Sequence, residues 1–214
     1  RVWMHLFNRG LVDSPSDFGV RTDPPTHPEL MDYLTISFMD HHWSMKSLIR
    51  QIVMSETWQQ SSDRRPDAEA VDPENRLFAR MNRTRLDFEA QRDAVLQVAG
   101  RLDPTVGGKS VDVTTDTESP RRTIYARIDR QNFPGLFRTF DMASPDTHAP
   151  RRFQTTVPQQ ALFQLNSPFI MNRAMEIAQA SETAVGTSDP SARIRSLFII
   201  VLRREPVPAE IEQF

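Results

Sequence analysis

Apolar residues recur along most of this chain at spacings of three and four, the rhythm of helices that bury one face. The cleanest run is 44–55, where Met45, Leu48, Ile49, Ile52 and Val53 keep that rhythm. After the Pro24-Pro25 break, residues 27–40 put Leu30, Met31, Leu34 and Phe38 on one side. Asp72-Pro73 reads as the cap of a short helix carrying Leu77, Phe78 and Met81. Thr84 with Asp87 three residues later has the spacing of a capping box, and Gly100 offers the stop.

Further along, Thr156 reads as an N-cap, with Pro158 in the first turn where a missing N–H costs little. Ala161, Leu162 and Leu165 then form an apolar stripe. Ser167-Pro168 repeats the signal, so a second helix is expected from there to about residue 180, with Ile170, Ala174, Ile177 and Ala178 on one face. Asn166 falls in the corner. Residues 64–71 read as a charged surface loop, 185–189 as a linker, and 193–202 as a strongly apolar helix that has to pack on something. Thr123 to Ile128 is the best strand candidate, paired across a polar turn with Lys109 to Thr114.

The expected fold is therefore mainly α, a multi-helix orthogonal bundle with a small β-hairpin near 108–130. Residues 1–184 are expected to form the helical domain. Residues 185–214 would be a linker and the truncated start of a further helical segment. With seven glycines and one or two strands, a Rossmann domain or closed barrel does not fit.

Composition narrows the chemistry. At 214 residues the chain can bury a core, and its net charge of −2 gives no general attraction to nucleic acid or anionic membrane. No stretch has the length and apolarity of a membrane span, and no signal peptide is visible. The cysteine count is zero, which excludes a disulfide framework, a thiol nucleophile and covalent c-type haem within this segment. Of 26 basic residues only Lys46 and Lys109 are lysines. Pairing of guanidinium forks with carboxylates explains that bias, and so does a GC-rich coding sequence.

Several short patterns invite a functional reading. The five histidines lack ligand spacing and read as surface or capping residues. Asp17-Phe18-Gly19 matches the kinase magnesium motif without its companion loops, and a turn after Pro15 is the simpler account. Gly107-Gly108-Lys109-Ser110 ends like a phosphate loop but lacks the earlier glycine, so it too reads as a turn. Trp3, Trp43 and Trp58 read as core or core-edge residues; an exposed pair would instead offer a sugar-stacking platform. The candidate ligand-binding set is Arg121, Arg122, Arg130, Asn132, Asp141, Arg151 and Arg152. Guanidinium forks that converge bind carboxylate or sulfate groups. The competing account is an internal network in which Asp129, Asp141 and Asp146 neutralise the arginines. No nucleophile with a base and no carboxylate pair stands out by spacing, so catalytic residues stay unassigned.

One resemblance spans residues 1–180. It is carried by Arg1-Val2-Trp3, Arg9-Gly10-Leu11-Val12, Pro15-Ser16-Asp17-Phe18-Gly19, Pro24-Pro25-Thr26-His27-Pro28-Glu29-Leu30 and Trp43-Ser44-Met45-Lys46. It continues through Asp72-Pro73-Glu74-Asn75-Arg76-Leu77, Gly107-Gly108, Arg121-Arg122, Thr155-Thr156 with Pro158-Gln159, and Leu165-Asn166-Ser167-Pro168-Phe169. In these the chain resembles the C-terminal domain of cytochrome c-associated proteins abundant in planctomycetes, a family of unassigned function. The resemblance implies a module of an exported, extracytoplasmic, multi-domain protein with any haem elsewhere in the parent. The expected role is non-catalytic binding or assembly with other domains of the parent, a cytochrome c domain among them. A carbohydrate-active or hydrolytic module with a glycan ligand, and a docking partner for an upstream haem domain, are the alternatives.

Overall fold

The computed structural model describes residues 1–17, 19–186 and 189–213. The chain is mainly α, with eleven helices and no named strand among the described residues. It divides into two compact units, residues 1–85 and 86–214.

The first unit holds α1 (Val2–Phe7), α2 (Pro28–Asp40), α3 (Met45–Val53), α4 (Glu56–Gln59) and α5 (Pro66–Val71). Its core is Trp3, Phe7, Leu11, Ile52 and Phe78, with Leu30, Leu34, Leu48, Trp58 and Met81 packed against it. Trp3 and Phe7 stack with ring centroids 4.1 Å apart. Ser44 caps α3 by accepting from the Ser47 N–H (3.3 Å), and Ser55 caps α4 by accepting from Trp58 N–H (3.3 Å). Two sequence expectations fail here. Residues 66–71, read as loop, form α5, with Pro66 in the first turn and Asp67 and Glu69 placed favourably at the positive end of its dipole. Residues 73–81, read as helix, run through turns. The Asp72 carboxylate accepts from the Leu77 N–H at 2.7 Å, and Asn75 and Phe78 take left-handed φ of 52° and 55°. That conformation swings Phe78 into the core, so burial of one ring overrides the local helix signal.

The second unit holds α6 (Phe88–Val98), α7 (Gly135–Thr139), α8 (Pro158–Asn166), α9 (Pro168–Val185), α10 (Pro190–Leu202) and α11 (Pro208–Ile211). An aromatic cluster of Phe88, Phe137 and Phe140 with Val113 forms its centre, and Phe133 and Phe163 pack on it. Gly100 (φ 69°) terminates α6 as expected, its N–H bonding to the Gln97 carbonyl (3.1 Å) while Arg101 N–H reaches Leu96 (2.8 Å). The α6 cap is Asp87, without a side-chain cap bond, rather than a Thr84 box. The α8 cap is Val157, one residue past Thr156, and α9 runs to Val185 before Gly186 stops it. Residues 187 and 188 of the expected linker lie outside the described residues, as does Phe18 of the 17–19 turn.

The β-hairpin is corrected. Thr123–Tyr125 is a 3₁₀ turn, and the two segments meet only as an isolated parallel bridge, Val111 with Ala126. A second such bridge joins Asp103 and Arg121. The reason is competition for backbone groups. The Thr123 N–H donates to the Asp93 carboxylate at 2.7 Å, and Arg92 donates to the carbonyls of Ser119 (2.7 Å) and Arg121 (2.9 Å). Groups that a ladder would need are already satisfied by side chains of α6.

Candidate functional site

The strongest concentration of charged side chains outside a surface setting lies along α6. Glu89 and Asp93 are four apart on one flank, Asp93 against the 120s segment and Glu89 against Arg152, while Arg92 points inward. Arg92 is 3% exposed. Burial lowers its pKa from the ordinary value, opposed by the charges of Asp93 and Asp116. The group stays cationic, because a guanidinium does not deprotonate in proteins. Its acceptors are the two carbonyls above and the Thr123 hydroxyl at 3.3 Å, and its guanidinium lies 5.0 Å from the Phe169 ring centre.

Beside this flank opens a cleft of about 430 Å³ lined by Asp87, Glu89, Asp93, Arg122 and Arg152 over an apolar floor that includes Ile128, Phe137 and Met142. Arg152 is the keystone. Its guanidinium donates to both Glu89 oxygens (3.0 and 2.8 Å) and to the carbonyls of Asp141 (3.1 Å) and Phe140 (3.1 Å). Asp87 lies 3.5 Å away. Across the cleft Arg122 meets Asp93 at 3.5 Å, and the Thr123 hydroxyl donates to Asp93 at 2.7 Å.

Asp141 sits at a left-handed φ of 61° and works as a clamp. Its carboxylate accepts from the Thr155 N–H (2.8 Å) and hydroxyl (2.7 Å) and from the Gln160 amide (3.4 Å). Burial alone would raise its pKa. The bonds from Thr155 and Gln160 and the nearby Arg152 charge outweigh that, and the carboxyl is held below its ordinary value.

The remaining candidates are dispersed. Arg121 donates to Thr105 O (3.0 Å) and Gly107 O, pairs with Asp103 at 3.5 Å and covers the Tyr125 ring at 4.3 Å. Arg130, Asn132 and Arg151 are exposed, Arg151 lying 5.8 Å from the Phe153 ring. The seven candidates thus do not share one pocket: Arg122 and Arg152 line the cleft, Asp141 stands behind Arg152, and the other four do not line it. The counter-charges differ from those read in the sequence. Asp129 accepts from its own loop at the Gln131 N–H (3.0 Å), whereas the carboxylates that hold the arginines are Asp87, Glu89, Asp93 and Asp103. The only sequence trace of this arrangement is the four-residue spacing of Glu89 and Asp93, which any solvated helix face shares.

Chemically the cleft is committed to holding itself together. Each lining carboxylate meets an arginine, and its one hydroxyl, Thr123, is 2% exposed and bonded to Asp93. No unpaired base stands beside an accessible nucleophile among the lining residues. Among the described residues no group of three or more His, Cys, Asp or Glu is placed to hold a metal ion, and no helix is long and apolar enough to cross a membrane. The tryptophans separate: Trp3 is buried, Trp58 half-buried and Trp43 64% exposed.

The family model described as PSD1, a protein of unknown function (DUF1553), matches residues 1–214. No curated protein and no solved structure matches the chain.

Proposed function

We propose that this chain, which belongs to the DUF1553 family of proteins of unknown function, works as a non-catalytic assembly module. The observation that carries the reading is surface left uncovered. The chain exposes 14826 Å². Two separate compact globules with the sizes of residues 1–85 and 86–214 would together expose only about 12,100 Å². Helical apolar residues contribute to it, with Met171, Met175, Ile199, Val201 and Leu202 each more than 40% exposed. In α10 the run Leu197-Phe198-Ile199-Ile200-Val201-Leu202 is apolar on every side, a pattern that belongs in an interior, yet α10 holds no buried residue. Apolar surface of this extent marks a docking face.

The family resemblance supports a finer picture. The module would sit in an exported, extracytoplasmic, multi-domain protein of planctomycete type, beside other domains of its parent that include a cytochrome c domain. Haem would belong to that neighbour, since the segment has no cysteine to attach it. Docking takes precedence over glycan binding because Arg130, Asn132 and Arg151 stand outside the cleft that Arg122 and Arg152 line.

The test has two arms. The native chain is expected to bind the hydrophobic dye ANS while its near-UV dichroism stays that of a folded protein. It is expected to leave ester, phosphoester and glycoside substrates unchanged. Turnover that disappears in Asp93→Asn would overturn the non-catalytic reading, and a folded chain that ignores the dye would overturn the assembly reading.

A further inference from the structure

The α2–α3 hairpin combines two features: an exposed apolar pair on its outer face, and charges that form no ion pair among the described residues. On α2, Ile36 (55% exposed) and Met39 (43%) lie on the same face as Asp32 and Asp40, at the four-, three- and one-residue steps of a helix. On α3, Lys46 and Arg50 face outward, while Met45 (48%) and Ile49 (39%) lie on the flank turned away from Gln51, nearer the side that carries Leu48 and Ile52. Trp43, 64% exposed in the corner, and Tyr33, 59% exposed, extend the patch. The charges segregate by helix. Glu29, Asp32 and Asp40 make α2 purely acidic, and Lys46 with Arg50 makes α3 purely basic. Elsewhere arginines are paired repeatedly, yet none of these five groups forms an ion pair among the described residues.

From this we infer that the α2–α3 hairpin is a self-association surface, docking against the same hairpin of a second copy so that α2 faces the partner's α3. Two arguments select that occupant. The first is charge. A twofold axis running along the hairpin sets each acidic helix opposite a basic one, whereas an axis across it would oppose acid to acid. The register agrees. Ser37 bonds Gln51 (3.0 Å) and Gln51 bonds Tyr33 (3.0 Å), which puts Asp40 and Lys46 at the same height in the hairpin. An axis along the hairpin preserves height, so Asp40 meets Lys46 of the second copy. Arg50 then lies about one helical turn from the height of Asp32, within reach of a long guanidinium arm.

The second argument is area. Tyr33, Ile36, Met39 and Trp43 together expose the equivalent of about two whole residues, on the order of 300–500 Å². A stable interface takes about 800 Å² from each partner, somewhat over half of it apolar, or roughly 450 Å². The patch reaches that range.

This inference rests on the assembly reading and names its partner and face. Its test is sedimentation velocity of the intact chain over about two decades of concentration spanning the micromolar range. A monomer–dimer equilibrium is expected, weakened by added salt. Asp40→Lys and Lys46→Asp each loosen the dimer by about tenfold, and the double swap D40K/K46D restores the parental constant to within about threefold. Met39→Asp, which buries a charge on the apolar face, abolishes dimerisation. All these sites are exposed, and unchanged far-UV dichroism confirms folding in each variant. A chain monomeric throughout, a dimer indifferent to both reversals, or a swap that fails to restore the parental constant overturns the inference. Monomeric behaviour leaves the assembly reading to its own dye and substrate tests, and turnover there leaves the dimer measurement standing.

Discussion

Arg152→Ala is the most informative single perturbation of the cleft. The change deletes a two-pronged bond to Glu89 and leaves the carbonyls of Phe140 and Asp141 without their donor. The side chains of Arg152 and Glu89 are 21% and 26% exposed, so the pair is neither a surface bridge nor fully buried. A surface pair contributes at most about 1 kcal/mol, and breaking a fully buried one costs about 3–5 kcal/mol. With two carbonyl bonds lost as well, about 2–4 kcal/mol is expected here. Arg152→Lys keeps the charge but not the fork, and should recover less than half. The assay is urea unfolding followed by far-UV dichroism. All three tryptophans, at 3, 43 and 58, lie in residues 1–85, so their fluorescence reports that unit alone. The dichroism transition should shift to lower urea while the fluorescence transition keeps its midpoint. Arg64→Ala, at an ion pair whose arginine is 81% exposed, supplies the surface reference. A loss at Arg152 no larger than at Arg64 would refute the claim that Arg152 organises the cleft.

Three further outcomes follow from the same packing. Phe88→Ala should cost about 3–5 kcal/mol, since Phe88 is 3% exposed and meets the rings of Phe137, Phe140 and Phe163 at 5.6, 4.9 and 5.8 Å; calorimetry of the variant checks it. Gly100→Ala should cost about 1 kcal/mol through its φ of 69° alone, because nothing lies within 4 Å of an added Cβ; Gly100→Asn should cost less, and a drop in Tm equal for both would contradict this. The Glu118 carboxyl is held below its ordinary value, chiefly by the bond from Arg173 and then by Asn172, and Asp141 is lowered as described above. Groups depressed in the folded state contribute stability that is complete above the unfolded carboxylate value and lost as pH falls through the folded one. The urea midpoint of residues 86–214 should therefore hold from neutral pH to about pH 5 and fall below about pH 4. Asp141→Asn should flatten part of that fall, and an unchanged profile would count against the Asp141 clamp.

What could be read from the residue pattern was what depends on near neighbours. The three- and four-residue rhythm located α2, α3 and the α8–α9 pair, α6 was inferred from its end signals, and Pro158, Pro168 and Gly100 marked ends to within a residue or so. These signals are local: a proline's missing N–H and a glycine's left-handed φ act where they stand. The absence of cysteine leaves no thioether attachment point for a c-type haem within these residues, which composition alone decides.

Only the tertiary structure decided how groups distant in sequence satisfy one another. Thr123 to Ile128 has β-forming side chains, but Asp93, thirty residues earlier, takes the Thr123 N–H and hydroxyl and leaves a 3₁₀ turn. Residues 73–81 carry a helical pattern, but burying Phe78 beside Trp3 and Phe7 is worth more than another short helix. An arginine can be named from its codon, but which carboxylate neutralises it depends on where the chain returns. Arg152 looked like a ligand fork and became the pin between Glu89 and the 140–141 carbonyls, because desolvated charge must find its partner wherever the fold supplies one.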